Sequence, residues 1–523
     1  MAKLKEKRMK KKVLALVLCL ALVTALVIGL VACNNNRDDD VVIVKLPSYD
    51  IEAPDYSNLQ IPANFKIGMI CLHDENSTYD KNFINAMKEV QEEFNLSNEQ
   101  VIIVTGIPED ETCYTQAKKL ANDGCNIVFA DSFGHEDYML KAAKEFPNTL
   151  FAHATGTQAA AAKLPNFVNA FASIYEGRYL AGVTAGLKLN EMIESGKITA
   201  DQAKMGYVGA FTYAEVISGY TSFYLGAKSV CPSVTMDVTF TGSWYHETRE
   251  KNAALSLINK GCVLISQHAD SMGAPNACEE KGVPNVSYNG STVNACPETF
   301  IISSRINWAP YYKYIIAQTV NGEKVDTNWT GTLKNGSVEL TDLGGKAMAA
   351  GTVEKLVEVR NKLMNGTLHV FDINNFTGYC TVTSTFFMSD FVQSTNTMRL
   401  ITSDAVEGKE NTVVLHDLLY DGYDVEISFD SSDVLEPAVN MEEQACGSTG
   451  EGIGSLFGDG RVVMYQPTTY TSYYSTCENF VLQYFTMIVR NKDGSIYGSL
   501  GTYVNIIEWI SDAEAEKLKE QGY

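Results

Sequence analysis

Short apolar runs alternate with segments of helical apolar spacing from Lys66 onward. The runs KIGMIC from Lys66, VIIVT from Val101, NIVFA from Asn126 and TLFAHA from Thr149 predict strands. Helices are predicted between them, at 79–94, 116–121 and 136–146. Short apolar runs separated by helices are typical of βαβ units, so this part of the sequence predicts an open parallel sheet covered by helices.

The same alternation repeats after a long predicted helix at 174–189, whose small residues allow close packing against a neighbour. The second set of predicted strands is KMGYVGA from Lys204, TMDVTF from Thr235, CVLISQ from Cys262 and VPNVSY from Val283, and TFIISS from Thr299 is predicted as a crossover. Helices are predicted at 214–228, 247–260 and 272–281. The pattern therefore predicts a two-lobed α/β body at 64–372, with lobe 1 at about 64–173 plus a returning segment and lobe 2 at about 190–298.

The pattern changes again after a predicted helix at 353–363. From about Asn374 to Asn505, within the region 373–523, the chain is rich in Thr, Ser, Tyr and Gly and contains alternating runs such as TVVLHDLLY, YDVEISF and RVVMYQ. Alternation with period two predicts antiparallel strands. The segment NKDGS at 491–495 predicts a hairpin turn, because Asp-Gly suits the positive φ of such turns. We predict an appended, mostly β domain whose role the sequence does not indicate.

The N-terminus has the pattern of an export signal. Seven Lys and Arg residues within the first 12 positions precede an apolar run from Val13 to Val31, which ends in LVAC at 30–33. This ending resembles the lipobox of bacterial lipoproteins, and it implies a signal peptide at 1–33, a lipid on the Cys33 thiol and a tether at 34–63. The alternative is a transmembrane anchor, since the run is long enough to span a bilayer. Both interpretations place the body outside the cytoplasm.

Charge and cysteine spacing exclude several classes of partner. The net charge is −22 and no Lys/Arg cluster follows residue 12, which argues against nucleic acid, because phosphate binding requires clustered cations. The chain has 12 cysteines, but no CxxC pair occurs among those after Cys33, so a zinc site is not predicted. No metal or other cofactor is expected.

Polar residues are concentrated just after the predicted strands, where open parallel sheets bind their ligands. The candidates after the first lobe's strands are Asp74, Asn76, Tyr79 and Asp131, and those after the second lobe's strands are Trp244, His268, Asp270 and Asn289. Helix capping explains about half of the Ser, Thr and Asp residues in such loops. It does not explain Trp244, whose ring suits stacking against a purine or a sugar.

Residues 242–271, GSWYHETREKNAALSLINKGCVLISQHADS, raise the question of catalysis. His246 and Glu250 have ligand-capable spacing, but position 250 is Glu, so the second His of an HExxH zinc motif is missing. His246, Glu247 and Glu250 are instead predicted at the start of a helix, where carboxylates suit the helix dipole. No GxSxG nucleophile motif occurs either. We therefore predict that the protein is not an enzyme.

Several segments resemble the basic membrane lipoprotein or purine nucleoside receptor family of ABC-transporter substrate-binding lipoproteins. They are the lipobox, DGCNIVFADSFGHEDYMLKAAKEFPNTLFAHATG, NAFASIYEGRYLAG, KMGYVGAF, residues 242–271 and NGTLHVFD, in order over about 64–372. The resemblance implies a class I periplasmic-binding fold, in which two doubly wound lobes joined by a hinge of three crossovers close on a ligand. The appended β domain lies outside it.

The resemblance also implies roles for particular residues. Trp244 would be the stacking platform, the loop from Asp74 to Tyr79 would face it, and Asp131, His268 and Asp270 would line the site. Where nucleoside-binding members have a VDQD-like motif, this chain has SYNG at 287–290. The missing carboxylate puts ribose recognition in doubt and favours a nucleobase. The segment SSRINWAPYY at 303–312 would place Arg305 near the site, with Trp308 there or in hinge packing.

The expected function is capture of a purine nucleobase or nucleoside and its delivery to a cognate ABC permease. The protein would be lipid-anchored at the extracytoplasmic face of the cell membrane. Two alternatives remain open: binding of a simple sugar by the same fold, and a surface sensory or adhesive receptor that signals through the β domain. Hydrolysis of a nucleoside is a more distant third.

Overall fold

The computed structural model describes residues 41–371, 376–388, 391–395, 398–409, 411–418, 424–430, 438–441, 444–445, 461–466, 472–475, 480–490 and 495–523. The predicted signal peptide, Cys33 and most of the predicted NKDGS turn lie outside these ranges. No helix among the described residues has the length and apolar character needed to cross a membrane.

The two-lobed body consists of short strands and longer helices. Its strands are β1 (Ile43–Val44), β2 (Ile67–Ile70), β3 (Val101–Val104), β4 (Ile127–Ala130), β5 (Leu150–Ala154), β6 (Phe167–Ala172), β7 (Lys204–Gly209), β8 (Thr235–Phe240), β9 (Leu264–His268), β10 (Asn285–Tyr288), β11 (Phe300–Ile306), β12 (Asn328–Gly331), β13 (Val338–Leu340) and β14 (Leu343–Gly344). Its helices are α1 (Thr78–Glu93), α2 (Glu111–Asn122), α3 (Glu136–Glu145), α4 (Ala159–Ala162), α5 (Ile174–Glu194), α6 (Ala214–Lys228), α7 (Glu247–Asn259), α8 (Gly273–Lys281), α9 (Ala309–Asn321) and α10 (Thr352–Met364).

Lobe 1 contains a parallel sheet in the order β3, β2, β4, β5, β6 and β12. Every residue of β2 and of β4 is buried, because helices cover both faces of such a sheet. The first helix, α1, begins at its cap residue Ser77, whose side chain accepts a hydrogen bond from the Asp80 amide. The strand order reverses between β2 and β4, and this switch point is where such sheets bind ligands.

Lobe 2 repeats this order with β8, β7, β9, β10 and β11, and β13 is added antiparallel at the edge. Its switch point lies between β7 and β9. The segment from Thr299 that the sequence predicts as a crossover is β11, which pairs with β10 inside the sheet. Six of its seven residues are buried, as expected of an interior strand.

The chain passes between the lobes three times: from β6 into α5, from β11 through α9 to β12, and from β12 to β13. In lobe 2 the first of these helices, α5, packs closely on α6. A Cβ added to Gly182 of α5 would lie 2.0 Å from the Phe223 carbonyl oxygen, and one added to Gly226 of α6 would lie 2.0 Å from that of Tyr179. The two doubly wound lobes with three crossings confirm the predicted class I periplasmic-binding fold.

Residues 42–63, which belong to the predicted tether at 34–63, lie against the body. Strand β1 pairs antiparallel with β14, and the Glu52 amide donates to the Lys334 carbonyl at 2.8 Å. Further along, the ring of Tyr56 makes an edge contact with Phe94 at 6.0 Å. This segment therefore spans from the edge of lobe 2 to lobe 1.

The C-terminal region contains a large antiparallel sheet, which confirms the predicted β domain. Its strands are β15 (Gly378–Met388), β16 (Phe391–Thr395), β17 (Arg399–Ala405), β18 (Thr412–His416), β19 (Val425–Asp430), β20 (Ala438–Asn440), β21 (Gln444–Ala445), β22 (Arg461–Tyr465), β23 (Tyr473–Ser475), β24 (Phe480–Arg490) and β25 (Ile496–Trp509), followed by helix α11 (Asp512–Glu520). It has its own apolar core, in which Phe376 stacks on Phe429 with ring centroids 4.6 Å apart.

Candidate functional site

A cavity lies between the lobes. It is located at the carboxyl ends of the strands that flank the switch point of each sheet. Its walls are residues that follow or end β2, β4 and β5 in lobe 1, and β7, β8, β9 and β10 in lobe 2. They are Leu72, His73, Tyr79, Asp80, Ser132, Phe133 and Thr155 from lobe 1, and Glu215, Trp244, His268, Asp270 and Tyr288 from lobe 2. The topology thus places this cavity where open α/β sheets bind ligands.

The lobes are closed on each other around this cavity. Its volume is about 20 Å³, close to the space that one water needs, whereas sites for drug-sized ligands measure about 300–1,000 Å³. Across the cleft, the Thr78 amide and hydroxyl both donate to the Asp270 carbonyl, at 3.2 and 3.1 Å. The Asn82 side-chain amide donates to the Asn289 side-chain oxygen at 3.0 Å. A ligand therefore has to enter while the lobes are apart.

Trp244 belongs to an aromatic cluster at one side of the cavity. Its half-buried ring lies 5.2 Å from the Phe211 ring and 5.9 Å from the Tyr213 ring, measured between centroids. Phe133 of lobe 1 approaches Tyr213 at 5.3 Å, so the cluster continues across the cleft. Phe133 and Tyr213 are among the few exposed large apolar residues. The arrangement supplies a flat apolar wall held in place by its neighbours.

Two buried polar groups that line the cavity have no partner among the described residues. The Asp270 carboxylate is in a residue only 5% exposed, and no hydrogen-bond donor or ion-pair partner reaches it there. Burial, with the nearby Asp80 charge, raises its pKa well above the ordinary value. The Tyr288 hydroxyl, in a residue 2% exposed, is likewise unpartnered. Because buried polar groups are normally hydrogen-bonded, both are candidates to contact a ligand.

His268 is held from behind by lobe 2. Its Nδ1 lies 3.4 Å from the Tyr207 hydroxyl and its Nε2 lies 3.7 Å from a Glu215 carboxylate oxygen. Burial lowers the pKa of His268 despite the nearby Glu215, so the imidazole is neutral near pH 7. Its ring also packs on that of Tyr288 at 4.1 Å. Tyr207 and Glu215 therefore lie beside its two ring nitrogens, and Tyr288 packs on its ring.

Arg178 of α5 lies behind these rings and is fully buried. Its guanidinium donates to the Ser266 hydroxyl at 2.7 Å and to the Ser287 carbonyl at 3.2 Å. It also lies 5.2 Å from the Tyr207 ring centroid and 5.7 Å from that of Tyr288. These contacts fix the orientation of both tyrosine rings.

Asp131 lies beneath the cavity and does not line it. It is fully buried, its carboxylate accepts from the Leu72 amide at 3.1 Å, and its other carboxylate oxygen has no partner among the described residues. Burial, together with the Asp80 charge, raises its pKa well above the ordinary value. Its carbonyl accepts from the Tyr79 hydroxyl at 2.9 Å. Asp131 therefore supports the position of Tyr79.

The other predicted site residues lie away from the cavity. Asp74 and Asn76 are exposed and hydrogen-bond to each other within their turn. Asn289 has a φ of +61° and connects the lobes through Asn82. Arg305 pairs with Glu339 at 3.3 Å. Of the nine predicted ligand-binding residues, the structure brings Tyr79, Trp244, His268 and Asp270 together at the cavity.

Asp80, Phe133, Glu215 and Tyr288 line the cavity but are absent from the predicted site. Asp80 and Glu215 lie in the first turn of a helix, where carboxylates are ordinary because of the helix dipole. Burial opposes ionisation of Asp80, but hydrogen bonds from His73 and Ser77 outweigh it and lower its pKa. The signal for Tyr288 is its place at the end of a predicted strand, next to Asn289.

The described residues contain no group of three or more His, Cys, Asp and Glu side chains arranged to hold a metal ion.

Two family models match the chain. The one described as "ABC transporter substrate-binding protein PnrA-like" matches residues 68–374, and one described as "Domain of unknown function (DUF4984)" matches residues 356–521. The first covers the two lobes, and the second begins within α10 and covers the C-terminal sheet.

Curated relatives and solved structures are similar to about half of this chain. A purine-binding protein of Brucella abortus is 30% identical over 274 residues, which cover 52% of this chain and 73% of that protein. A putative ABC transporter glucose-binding protein of Haloferax volcanii is 28% identical over 279 residues, with 51% and 67% covered. A solved ABC transporter solute-binding protein from Conexibacter woesei is 21% identical with a TM-score of 0.48, over 58% of this chain and 98% of that chain.

Proposed function

Because the chain belongs to the PnrA-like family of ABC transporter substrate-binding proteins, we propose that it captures a purine nucleobase or nucleoside between its lobes. Proteins of this family bind small solutes outside the cytoplasm and deliver them to a permease, and they are not enzymes. The proposal concerns the identity of the solute. A purine would enter while the lobes are apart, and the lobes would close around it with more space between them than the cavity of about 20 Å³ provides.

The observation that carries the proposal is the pairing of the Trp244 ring with unpartnered polar groups in one cavity. A purine has a flat face for Trp244 and an edge of ring nitrogens and N–H groups for Asp270 and Tyr288. A purine-binding protein among the relatives supports the same solute class. The SYNG segment at 287–290, which lacks the family's aspartates, favours a base over its riboside.

Calorimetric titration of the purified protein with adenine, guanine, hypoxanthine, their nucleosides and a set of simple sugars tests the proposal. We expect at least one purine to bind in the micromolar range or tighter, as burial of a ring in a closed cleft permits. Binding of a sugar without any purine would contradict the proposal. That outcome is the second candidate, since a glucose-binding protein is also among the relatives and carboxylates can accept hydrogen bonds from sugar hydroxyls.

We also propose that Cys33 anchors the protein to the membrane through a lipid. The supporting observation is the LVAC sequence at 30–33 after the apolar run. In cells that process lipoproteins, the Cys33→Ser variant is expected to lose incorporation of labelled palmitate, because the acylated thiol is gone. Cys19→Ser, inside the predicted signal, is the matched control and should keep the label. Equal labelling of Cys33→Ser and wild type would favour a different anchor.

A further inference from the structure

Tyr288 occupies the cavity wall at the end of β10, within the SYNG segment that replaces the family's aspartate-rich motif. Its hydroxyl has no partner among the described residues, although the residue is 2% exposed. A buried hydroxyl without a hydrogen bond destabilises the protein, unless a ligand or a water provides the partner. The cavity that Tyr288 lines is where a ligand would provide it.

The ring of Tyr288 is held on two sides. It packs on His268 with centroids 4.1 Å apart and an interplanar angle of 34°, and the Arg178 guanidinium lies 5.7 Å from its centroid. These contacts restrict the rotation of the ring, so the hydroxyl is fixed in place before a ligand arrives. A fixed donor adds more to affinity than a mobile one, because less rotamer freedom is lost on binding.

Asp270 supplies a complementary group from the loop after the neighbouring strand β9. Its carboxylate, also without a donor among the described residues, lines the same cavity, and its backbone is fixed by hydrogen bonds to Trp244 at 3.0 Å and to Thr78 across the cleft. The carboxyl oxygens of Asp270 can accept hydrogen bonds, and the tyrosine hydroxyl can donate one. The two groups together match a ligand edge that has both a donor and an acceptor.

We infer that Tyr288 and Asp270 form the pair that selects the ligand, with Tyr288 donating to a ring nitrogen of a purine base and Asp270 accepting from one of its N–H groups. This inference rests on the proposed purine function and assigns the polar recognition of the base to lobe 2. Where the resemblance implies a VDQD-like motif in nucleoside-binding members, this chain has Tyr288 within SYNG at 287–290. A tyrosine hydroxyl at this position can donate to a ring nitrogen of a base, whereas a carboxylate would accept from a ribose hydroxyl.

The test compares Tyr288→Phe with wild type in calorimetric titrations against the tightest-binding purine and its 1-, 3- and 7-deaza analogues. Removal of the hydroxyl should weaken binding of the parent purine about tenfold. The analogue that lacks the nitrogen contacted by Tyr288 should bind wild type about tenfold more weakly than the parent purine does. To Tyr288→Phe, this analogue and the parent purine should bind equally well. This pattern identifies the nitrogen that Tyr288 contacts, and a merely structural role of Tyr288 would not produce it.

Tyr311→Phe is the matched control. Tyr311 is also buried with an unpartnered hydroxyl among the described residues, but it lies outside the cavity, so its loss should leave every affinity unchanged. Asp270→Asn should weaken binding of the parent purine about tenfold, since an NH₂ group replaces one of the accepting carboxyl oxygens. The inference would be overturned if Tyr288→Phe lost the same factor of affinity for the parent purine and for every analogue, or if its affinities equalled those of wild type. Purine binding itself would stand in either case.

If wild type binds a sugar and no purine, the proposed purine function is wrong, and the assignment of a purine edge to Tyr288 and Asp270 is wrong as well. If the protein binds none of the panel, both proposals fail.

Discussion

Replacement of Trp244 by alanine is expected to weaken binding of the cleft's ligand by about 10- to 100-fold. Stacking of a base on an aromatic side chain contributes about 1–3 kcal/mol when measured by alanine substitution. Trp244 is half-buried, lines the cavity and is oriented by Phe211 and Tyr213. Its loss removes the flat wall without removing a core residue. Calorimetric titration of the variant with the wild-type ligand measures the effect.

Two variants distinguish stacking from a general effect on the fold. Trp244→Phe keeps an aromatic face and should recover most of the lost affinity. Trp329→Ala removes another half-buried tryptophan, which packs on Tyr311 and Tyr314 away from the cavity. It should lower the melting temperature but leave affinity unchanged. Full affinity in Trp244→Ala would exclude Trp244 from the site.

The sequence predicts the fold of the lobes because the physical signals there are strong. Strands β2 and β4 are buried throughout, so they appear as continuous apolar runs, and helices such as α1 show helical spacing between them. The same signals fail for β11, whose run was expected to cross between the lobes. An interior strand and a crossover segment have the same apolar composition, and only the pairing with β10 distinguishes them.

The sequence predicts one wall of the site better than the other. His268 ends a strand of lobe 2, and Trp244 and Asp270 follow shortly after strands, so the rule for parallel sheets brings the three together. In lobe 1, Asp74 and Asn76 follow a strand too, but they hydrogen-bond within their own turn, while Asp80 lines the cavity instead. Which polar residues of a loop face inward depends on the turn geometry, which residue order alone does not reveal.

Residues 42–63 illustrate a different limit. The polar run NNNRDDD at 34–40 indicates a tether, and the prediction extends this tether to residue 63 although 42–63 contains apolar residues such as Ile43, Leu59 and Ile61. In the structure, backbone pairing of β1 with β14 and the Arg360 guanidinium, which donates to the Pro47 carbonyl at 3.1 Å, hold this segment on the body. Such contacts depend on partners about 300 residues away, and sequence composition carries no information about them.

The largest effect on stability is expected from Gly182→Ala. The added Cβ would lie 2.0 Å from the Phe223 carbonyl oxygen, far inside contact distance, and the obstacle is helix backbone, which cannot move aside like a side chain. The packing of α5 on α6 would have to open, at a cost of about 3 kcal/mol or more. Scanning calorimetry should show the two-lobed body melting about 5 °C or more below wild type.

Gly177→Ala is the matched control on the same helix, because both variants gain the same helix propensity from alanine. The nearest atom to its Cβ would be a side-chain methyl of Val338 at 2.9 Å, farther away than the backbone oxygen that Gly182→Ala meets, so the loss should be clearly smaller. The C-terminal domain, which has a separate apolar core, should melt unchanged and serve as an internal reference. Equal melting of Gly182→Ala and wild type would show that α5 and α6 are not packed backbone to backbone.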